Sequence, residues 1–163
     1  MAEIVLFVCH ANTARSVMAQ ALLEQMLAAR GAAPVQIRSG GVAHWARDGM
    51  IPSLDARLAL REEGIHLAED GIASTALAHH PEVVEAADLI LTMTAEQKTV
   101  VAAFAGARGK PVLTLRELAG ESGDIGDPAA QGEDVFRACR DEIKRCLEKA
   151  IDPMLALLRK GRG

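Results

Sequence analysis

Apolar positions in this chain follow two rhythms. Ile4 to Val8 is a short unbroken apolar run, the pattern of a strand buried on both faces. From Ser16 to Arg30 the spacing changes to that of a helix: Met18, Ala21, Leu22, Met26 and Ala29 share one face, and Gly31 is placed to end it. The alternation then repeats. Val35 to Ser39 reads as a second strand, and Ser53 to Glu63 as a helix between Pro52 and Gly64. Pro81 to Ala86 reads as a short helix, Asp88 to Met93 (DLILTM) as a third buried strand, Ala95 to Ala105 as a helix and Pro111 to Leu115 as a fourth strand. A polar, Gly-rich loop covers Gly120 to Gly132, and an amphipathic helix runs from Glu133 to Lys160. Strands separated by helices imply a parallel sheet covered on both faces. Ligands of such sheets bind beyond the carboxyl ends of the strands, so the segment after the first strand is the first place to look for chemistry.

Composition narrows the class. The 163 residues fit one domain spanning residues 1–163, with no linker or repeat, and half of them are hydrophobic. A net charge of −4, three Phe, one Trp and no Tyr give neither a basic face nor a base-stacking platform, which excludes a nucleic-acid partner. No apolar run has the length of a membrane span, and the N-terminus lacks the pattern of a secretory signal, so the expectation is a cytoplasmic protein without a membrane partner. Its cysteines, Cys9, Cys139 and Cys146, show no disulfide or zinc spacing, and the five histidines form no ligand cluster with acids or cysteines. Neither a metal nor another cofactor is expected.

The segment after the first strand is Cys9-His10-Ala11-Asn12-Thr13-Ala14-Arg15-Ser16. A bare Cys-x5-Arg carries little information. Here the Cys ends a buried strand, a helix begins near the Arg, and the residues between are mostly small and polar. A loop curling at a helix N-terminus aims several backbone N–H groups at one point, and the helix dipole favours an anion there, phosphate or sulfate. The same field favours a thiolate at Cys9. Arg15 can bind two phosphate oxygens in a fork, Ser16 can donate to the sulfur, and Asn12 can tie the loop together with its amide. The bland alternative is a buried inert thiol and an ordinary helix arginine.

A thiolate that attacks a phosphorylated substrate needs an acid to protonate the leaving group and a base to activate water afterwards. GDIGDPAAQGEDVF supplies Asp124 and Asp127, with Pro128 stiffening the chain after Asp127. Alone, this segment reads as a turn. Beside the Cys9 loop, Asp127 is the candidate general acid, and Asp124 a support for the loop.

LFVCHANTARSVMAQALL, DLILTM and DIGDP together resemble the low-molecular-weight protein tyrosine phosphatases, and the resemblance runs in order over essentially the whole chain. It implies a flavodoxin-like α/β fold with a four-stranded parallel sheet of order 2-1-3-4. It also implies a cysteinyl-phosphate intermediate on Cys9, with Arg15 and Ser16 in the phosphate loop and Asp127 as acid and then base. The partner would be a phosphorylated protein or a small phosphomonoester. Several positions depart from the family pattern: Ala11 stands for the usual loop glycine, Ala14 for a second cysteine, Val17 for a proline, and Ala129-Ala130 for an aromatic pair. Ala11 could restrict a backbone position that usually carries no side chain.

The leading expectation is hydrolysis of phosphotyrosine or another protein phosphomonoester. Thr13 opens an alternative, because the tyrosine-specific members usually carry an aliphatic residue there, whereas members resembling protein-arginine phosphatases carry Thr. Two further alternatives are an arsenate reductase, which needs relay cysteines that TAEQKTVVAAF does not supply, and a non-catalytic anion-binding module. Among lesser candidates, Trp45 lies in the loop after the second strand and could wall the substrate cleft. Arg47 and Asp48 read as exposed loop charges, His79 and His80 as a surface helix start, and Cys139 with Cys146 as small core residues on one helix face.

Overall fold

The structure is a computed structural model that describes residues 2–32, 34–68 and 71–161. The expected alternation of strands and helices is present: β1 (Glu3–Cys9), α1 (Arg15–Arg30), β2 (Val35–Gly41), α2 (Leu54–Arg61), α3 (Pro81–Ala86), β3 (Leu89–Thr92), α4 (Ala95–Ala102), β4 (Val112–Thr114), α5 (Leu115–Leu118) and α6 (Glu133–Lys160). The four strands form one parallel sheet in the order β2-β1-β3-β4, the flavodoxin-like arrangement.

The unbroken apolar run of β1 is explained by a core on each side of the sheet. Val5 and Phe7 point into one, packed with Met18 and Leu22 of α1, Leu89 and Leu91 of β3, and Ile143 and Leu147 of α6. Leu6 and Val8 point into the other, with Leu77, Val84 and Ile90. Successive strand residues alternate between faces, so a two-sided strand has no polar face. At about 1.5–3 kcal/mol for each fully buried large aliphatic or aromatic side chain, these central strands fix the sheet on which the loops are mounted.

Most boundaries shift by one or two residues, β2 for instance running on to Gly41, and two differences have a clear local cause. The strand expected over Pro111–Leu115 ends at Thr114, where a capping box starts α5: the Thr114 hydroxyl accepts from the Glu117 N–H, and the Glu117 carboxylate accepts from the Thr114 N–H. The helix expected to reach Ala105 stops after Ala102. Phe104 is extended (φ −67°, ψ 137°), packs against the second core, and leads into a 3-10 turn at Ala105–Ala107.

Strand order sets where ligands can reach. The chain leaves β1 for β2 on one side and later returns to β3 on the other, so a crevice opens at the carboxyl ends of β1 and β3. Cys9 is the last residue of β1. The loop carrying Asp127 docks onto the end of β3, where the Ile125 N–H donates to the Met93 carbonyl at 2.9 Å.

Candidate active site

The chain between Cys9 and Arg15 curls around the sulfur, and its hydrogen bonds fix each partner's role. Thr75 N–H donates to Asn12 Oδ1 at 2.9 Å, which occupies the amide oxygen. Asn12 Nδ2 then donates to Ser16 Oγ at 2.9 Å. Ser16 Oγ also lies 2.9 Å from Cys9 Sγ, within reach for its hydroxyl proton to be donated to the sulfur. Asn12 N–H lies 3.3 Å from the same sulfur.

Asn12 is left-handed (φ 62°), a conformation that its short amide side chain tolerates. The expected restriction at Ala11 does not arise, because among the described non-glycine residues only Asn12 and Ala130 have positive φ. The glycine that the loop does require is Gly41, at the end of β2. A Cβ there would come within 2.6 Å of the His10 carbonyl oxygen and 2.9 Å of the Ala11 carbonyl carbon.

Arg15 opens α1 and is 3% exposed. Its Nη1 donates to the Ile125 carbonyl at 2.7 Å, and its Nη2 lies 3.8 Å from Asp127 Oδ2. The guanidinium thus spans from the phosphate loop to the Asp127 loop with its plane held by a backbone carbonyl. Asp127 is about half exposed, and its Oδ1 accepts from the Ala129 N–H at 3.0 Å. Asp124 supports the loop from behind by accepting from the Ala95 N–H at 2.9 Å.

Cys9, His10, Ala11, Thr13, Ala14, Arg15, Trp45 and Asp127 all line one pocket of about 490 Å³. Asn12 and Ser16 are buried behind it. Arg47, Met50, Ser53, Ala129 and Phe136 complete the wall; the sequence marks Arg47 only as a surface charge and Ala129 only as a departure from the family's aromatic pair, and it does not mark Met50, Ser53 or Phe136 as site residues. Phe136 could have been suggested by its place in the first turn of the helix after the Asp-Pro loop. Ser53 carries a recognisable N-cap signal, since its hydroxyl accepts from the Ala56 N–H at the start of α2.

Asp48 is more than an exposed loop charge. Its Oδ1 accepts from the Ala76 N–H at 2.8 Å, and its Oδ2 lies 3.0 Å from His80 Nε2. The backbone donor first, then His80, hold the Asp48 carboxyl below its usual range, and Asp48 in turn raises the His80 imidazole. Cys139 and Cys146 are free and buried in the face of α6. Burial pushes the Cys139 thiol up to about 12, which makes it a poor relay for arsenate reduction. Among the described residues no group of His, Cys, Asp or Glu is arranged to hold a metal, and no helix is long and apolar enough to cross a membrane.

A strand-ending cysteine in a Cys-x5-Arg-Ser loop at a helix N-terminus, faced by an Asp-Pro loop across a flavodoxin-like sheet, defines a class: small cysteine-dependent phosphatases. Comparison with known proteins carries this further. The chain belongs to the low molecular weight phosphotyrosine protein phosphatase family, whose model matches residues 4–161, and it is a hydrolase of that family. A protein-arginine-phosphatase of Geobacillus stearothermophilus is 34% identical over 151 residues, covering 92% of this chain and 95% of its own. The low molecular weight protein-tyrosine-phosphatase PtpB of Staphylococcus epidermidis is 30% identical over 145 residues, covering 89% and 94%. Among solved structures, a cysteine-to-serine mutant of the YwlE arginine phosphatase with a phosphorylated active site serine superposes with a TM-score of 0.82 at 34% identity, covering 93% of this chain and 95% of its own.

Proposed function

We propose that this chain is a protein phosphatase of a single domain, acting in the cytoplasm, in which Cys9 is the nucleophile, Arg15 the phosphate clamp and Asp127 the proton donor and acceptor, and that its preferred substrate is phosphoarginine in proteins. In the first step Cys9 Sγ attacks phosphorus in line with the leaving group. The S–P bond forms as the bond from phosphorus to the guanidinium nitrogen breaks, and Asp127 delivers a proton to that nitrogen. In the second step Asp127, now a carboxylate, takes a proton from water. The water oxygen attacks the cysteinyl phosphate, releasing phosphate and the thiolate. Arg15 stabilises the equatorial oxygens in both steps as charge develops on them. Ser16 stabilises the departing thiolate through its hydroxyl proton.

The observation that carries the substrate preference is Thr13. It is a polar residue on the wall of a pocket otherwise lined largely by Ala11, Ala14, Trp45, Met50, Ala129 and Phe136. A hydroxyl there suits a guanidinium, which carries donors around its plane, and Asp127, once it has given up its proton, faces the departing guanidinium as a carboxylate. The curated relatives named protein-arginine-phosphatases, from Geobacillus stearothermophilus and from Bacillus subtilis, support the same reading. Phosphotyrosine is the second reading, favoured by Trp45 and Phe136 on the same wall, which suit an aryl ring.

The test is phosphate release from matched phosphoarginine and phosphotyrosine peptides by wild type, Cys9→Ser and Thr13→Ile. The proposal expects hydrolysis that is lost in Cys9→Ser, with the preference for phosphoarginine shifting toward phosphotyrosine in Thr13→Ile. Retained turnover in Cys9→Ser would remove the nucleophile assignment. A wild-type preference for phosphotyrosine would hand the substrate to the second reading.

A further inference from the structure

Large apolar side chains are rarely left in water without a reason when they lie together. Among the described residues the exposed large hydrophobics are Trp45 (56%), Met50 (47%), Ile51 (57%), Leu54 (63%), Val100 and Val135. Four of these six fall within ten consecutive positions, between the end of β2 and the first residue of α2. Trp45 and Met50 line the pocket that holds Cys9, and the exposed Ile51 and Leu54 are the chain neighbours of its lining residues Met50 and Ser53.

The segment is also stapled in place. Ser74 Oγ donates to the Arg47 carbonyl and accepts from the Met50 N–H at 2.9 Å. Gly49 N–H donates to the Ser74 carbonyl, and Ser74 N–H to the Met50 carbonyl, each at 2.9 Å. Asp48 adds its bond to the Ala76 N–H and its pair with His80. At the other end, Ser53 N–H donates to the Thr13 carbonyl at 2.9 Å and Ser53 caps α2. The backbone between residues 47 and 53 thus has fixed partners, and its apolar side chains are held outward by that frame. A surface ordered before binding costs less entropy to use than one that must be ordered by the ligand.

We infer that Ile51 and Leu54, continuing from Trp45 and Met50, form a recognition shelf for an apolar side chain flanking the phosphorylated residue of the protein substrate. The inference rests on the phosphatase reading above and adds a sequence preference to it. Its warrant is continuity: a substrate chain whose phosphorylated residue enters the Cys9 pocket leaves the mouth with its neighbouring residues beside the rim. Ile51 and Leu54 are exposed, do not line the pocket, and directly follow Met50 and Ser53, which do.

The experiment compares wild type with Ile51→Ser/Leu54→Ser on three substrates: phosphopeptides with Leu on either side of the phosphorylated residue, the same peptides with Ser at those positions, and para-nitrophenyl phosphate, which has no flanks. Matched phosphoarginine and phosphotyrosine pairs are used. Wild type is expected to show a lower KM for the Leu-flanked member. The double variant is expected to raise that KM about five- to tenfold, the effect of losing an apolar contact of this size, with kcat unchanged. Its KM for the Ser-flanked peptide and its turnover of para-nitrophenyl phosphate stay at wild-type values, which also shows that it folds. Equal wild-type KM for the two flanks, or an equal rise on all substrates, overturns the shelf while leaving the phosphatase reading intact. The shelf also falls if wild type sediments as a dimer and the double variant as a monomer with flank preference unchanged, because a second copy is then its occupant. Failure of wild type to hydrolyse any of the three brings down the phosphatase reading itself, and the shelf with it.

Discussion

The loop of residues 9–16 is buried, with side chains bonded around its sulfur and anchored to Thr75 and Ile125, whereas the facing loop of residues 120–132 is partly exposed at its carboxylate. In the first, Asn12, Ser16 and Arg15 are buried and bonded to the sulfur, to each other or to backbone carbonyls. In the second, the anchors are Ile125 N–H on β3, Asp124 on the start of α4 and an Asx turn at Asp127, whose carboxylate is half exposed. The contrast matches the two tasks proposed for these loops. A nucleophile and its anion cradle work best when rigid and dry, since fixed donors act more strongly where water is excluded. A group that gives and takes a proton in turn must meet both the leaving group and water.

If this division is real, substitutions on the two sides should fail differently. The largest effect is expected for Asp127→Ala: kcat about 10²- to 10⁴-fold lower on peptide substrates and a much smaller loss on para-nitrophenyl phosphate, whose leaving group needs little protonation. Equal losses on both would show that Asp127 positions the loop and transfers no proton. Arg15→Lys follows, with kcat about 10²- to 10³-fold lower on every substrate, because one ammonium cannot hold the Ile125 carbonyl and also span two phosphate oxygens. Asn12→Ala should lower stability by about 1–3 kcal/mol in urea unfolding, since it removes the partner of the half-buried Thr75 N–H and places Ala in a left-handed conformation. Asp127→Ala, on the exposed side, should leave the urea midpoint nearly unchanged.

Much of the nucleophile side was legible in the chain. The two-sided run of β1, the Cys9–Ser16 spacing and the helical rhythm after it are local patterns, and the structure keeps them within one or two residues. What could not be read are the contacts closing the site from afar. No local signal marks the Ile125 carbonyl as the seat of Arg15, Gly41 as the backbone that makes room for Ala11, or Thr75 N–H as the partner of Asn12. These depend on register and topology. The missed α5 is a different case. Its Thr114–Glu117 capping box is visible as T-x-x-E, but the apolar run PVLTL outweighed it.

Thiol chemistry sharpens the same contrast at smaller scale. Cys9 lines the pocket, whereas burial pushes Cys139 up to about 12, which leaves a thiolate fraction of about 10⁻⁴ at pH 8. Iodoacetamide at that pH should modify Cys9 and spare Cys139 in the native protein, as read by peptide mass mapping. Labelling of Cys139 at the same rate would mean that its helix opens on the same timescale.

The smallest effect concerns Glu121, at the start of the Asp127 loop, where Arg145 and Lys149 hold its carboxyl down to about 2. A carboxylate lowered on folding adds stability that is fully present above its unfolded value, near 4.5, and is lost as pH falls toward 2. The urea midpoint should therefore drop more between pH 6 and pH 3 in wild type than in Glu121→Gln. Parallel curves would show that the ion pairs contribute nothing to holding this loop.

The long reach of two bonds has a consequence for how the protein comes into being. Asn12 takes its amide partner from Thr75, 63 residues downstream, and Arg15 takes its carbonyl from Ile125, 110 residues downstream. A chain emerging from the ribosome makes its cysteine first and the groups that orient the surrounding cradle much later. Loop closure over such separations is a late event in folding. The Cys9 sulfur therefore waits without its finished surroundings until most of the chain has been made, and competence for the chemistry proposed above arrives together with the last long-range contacts.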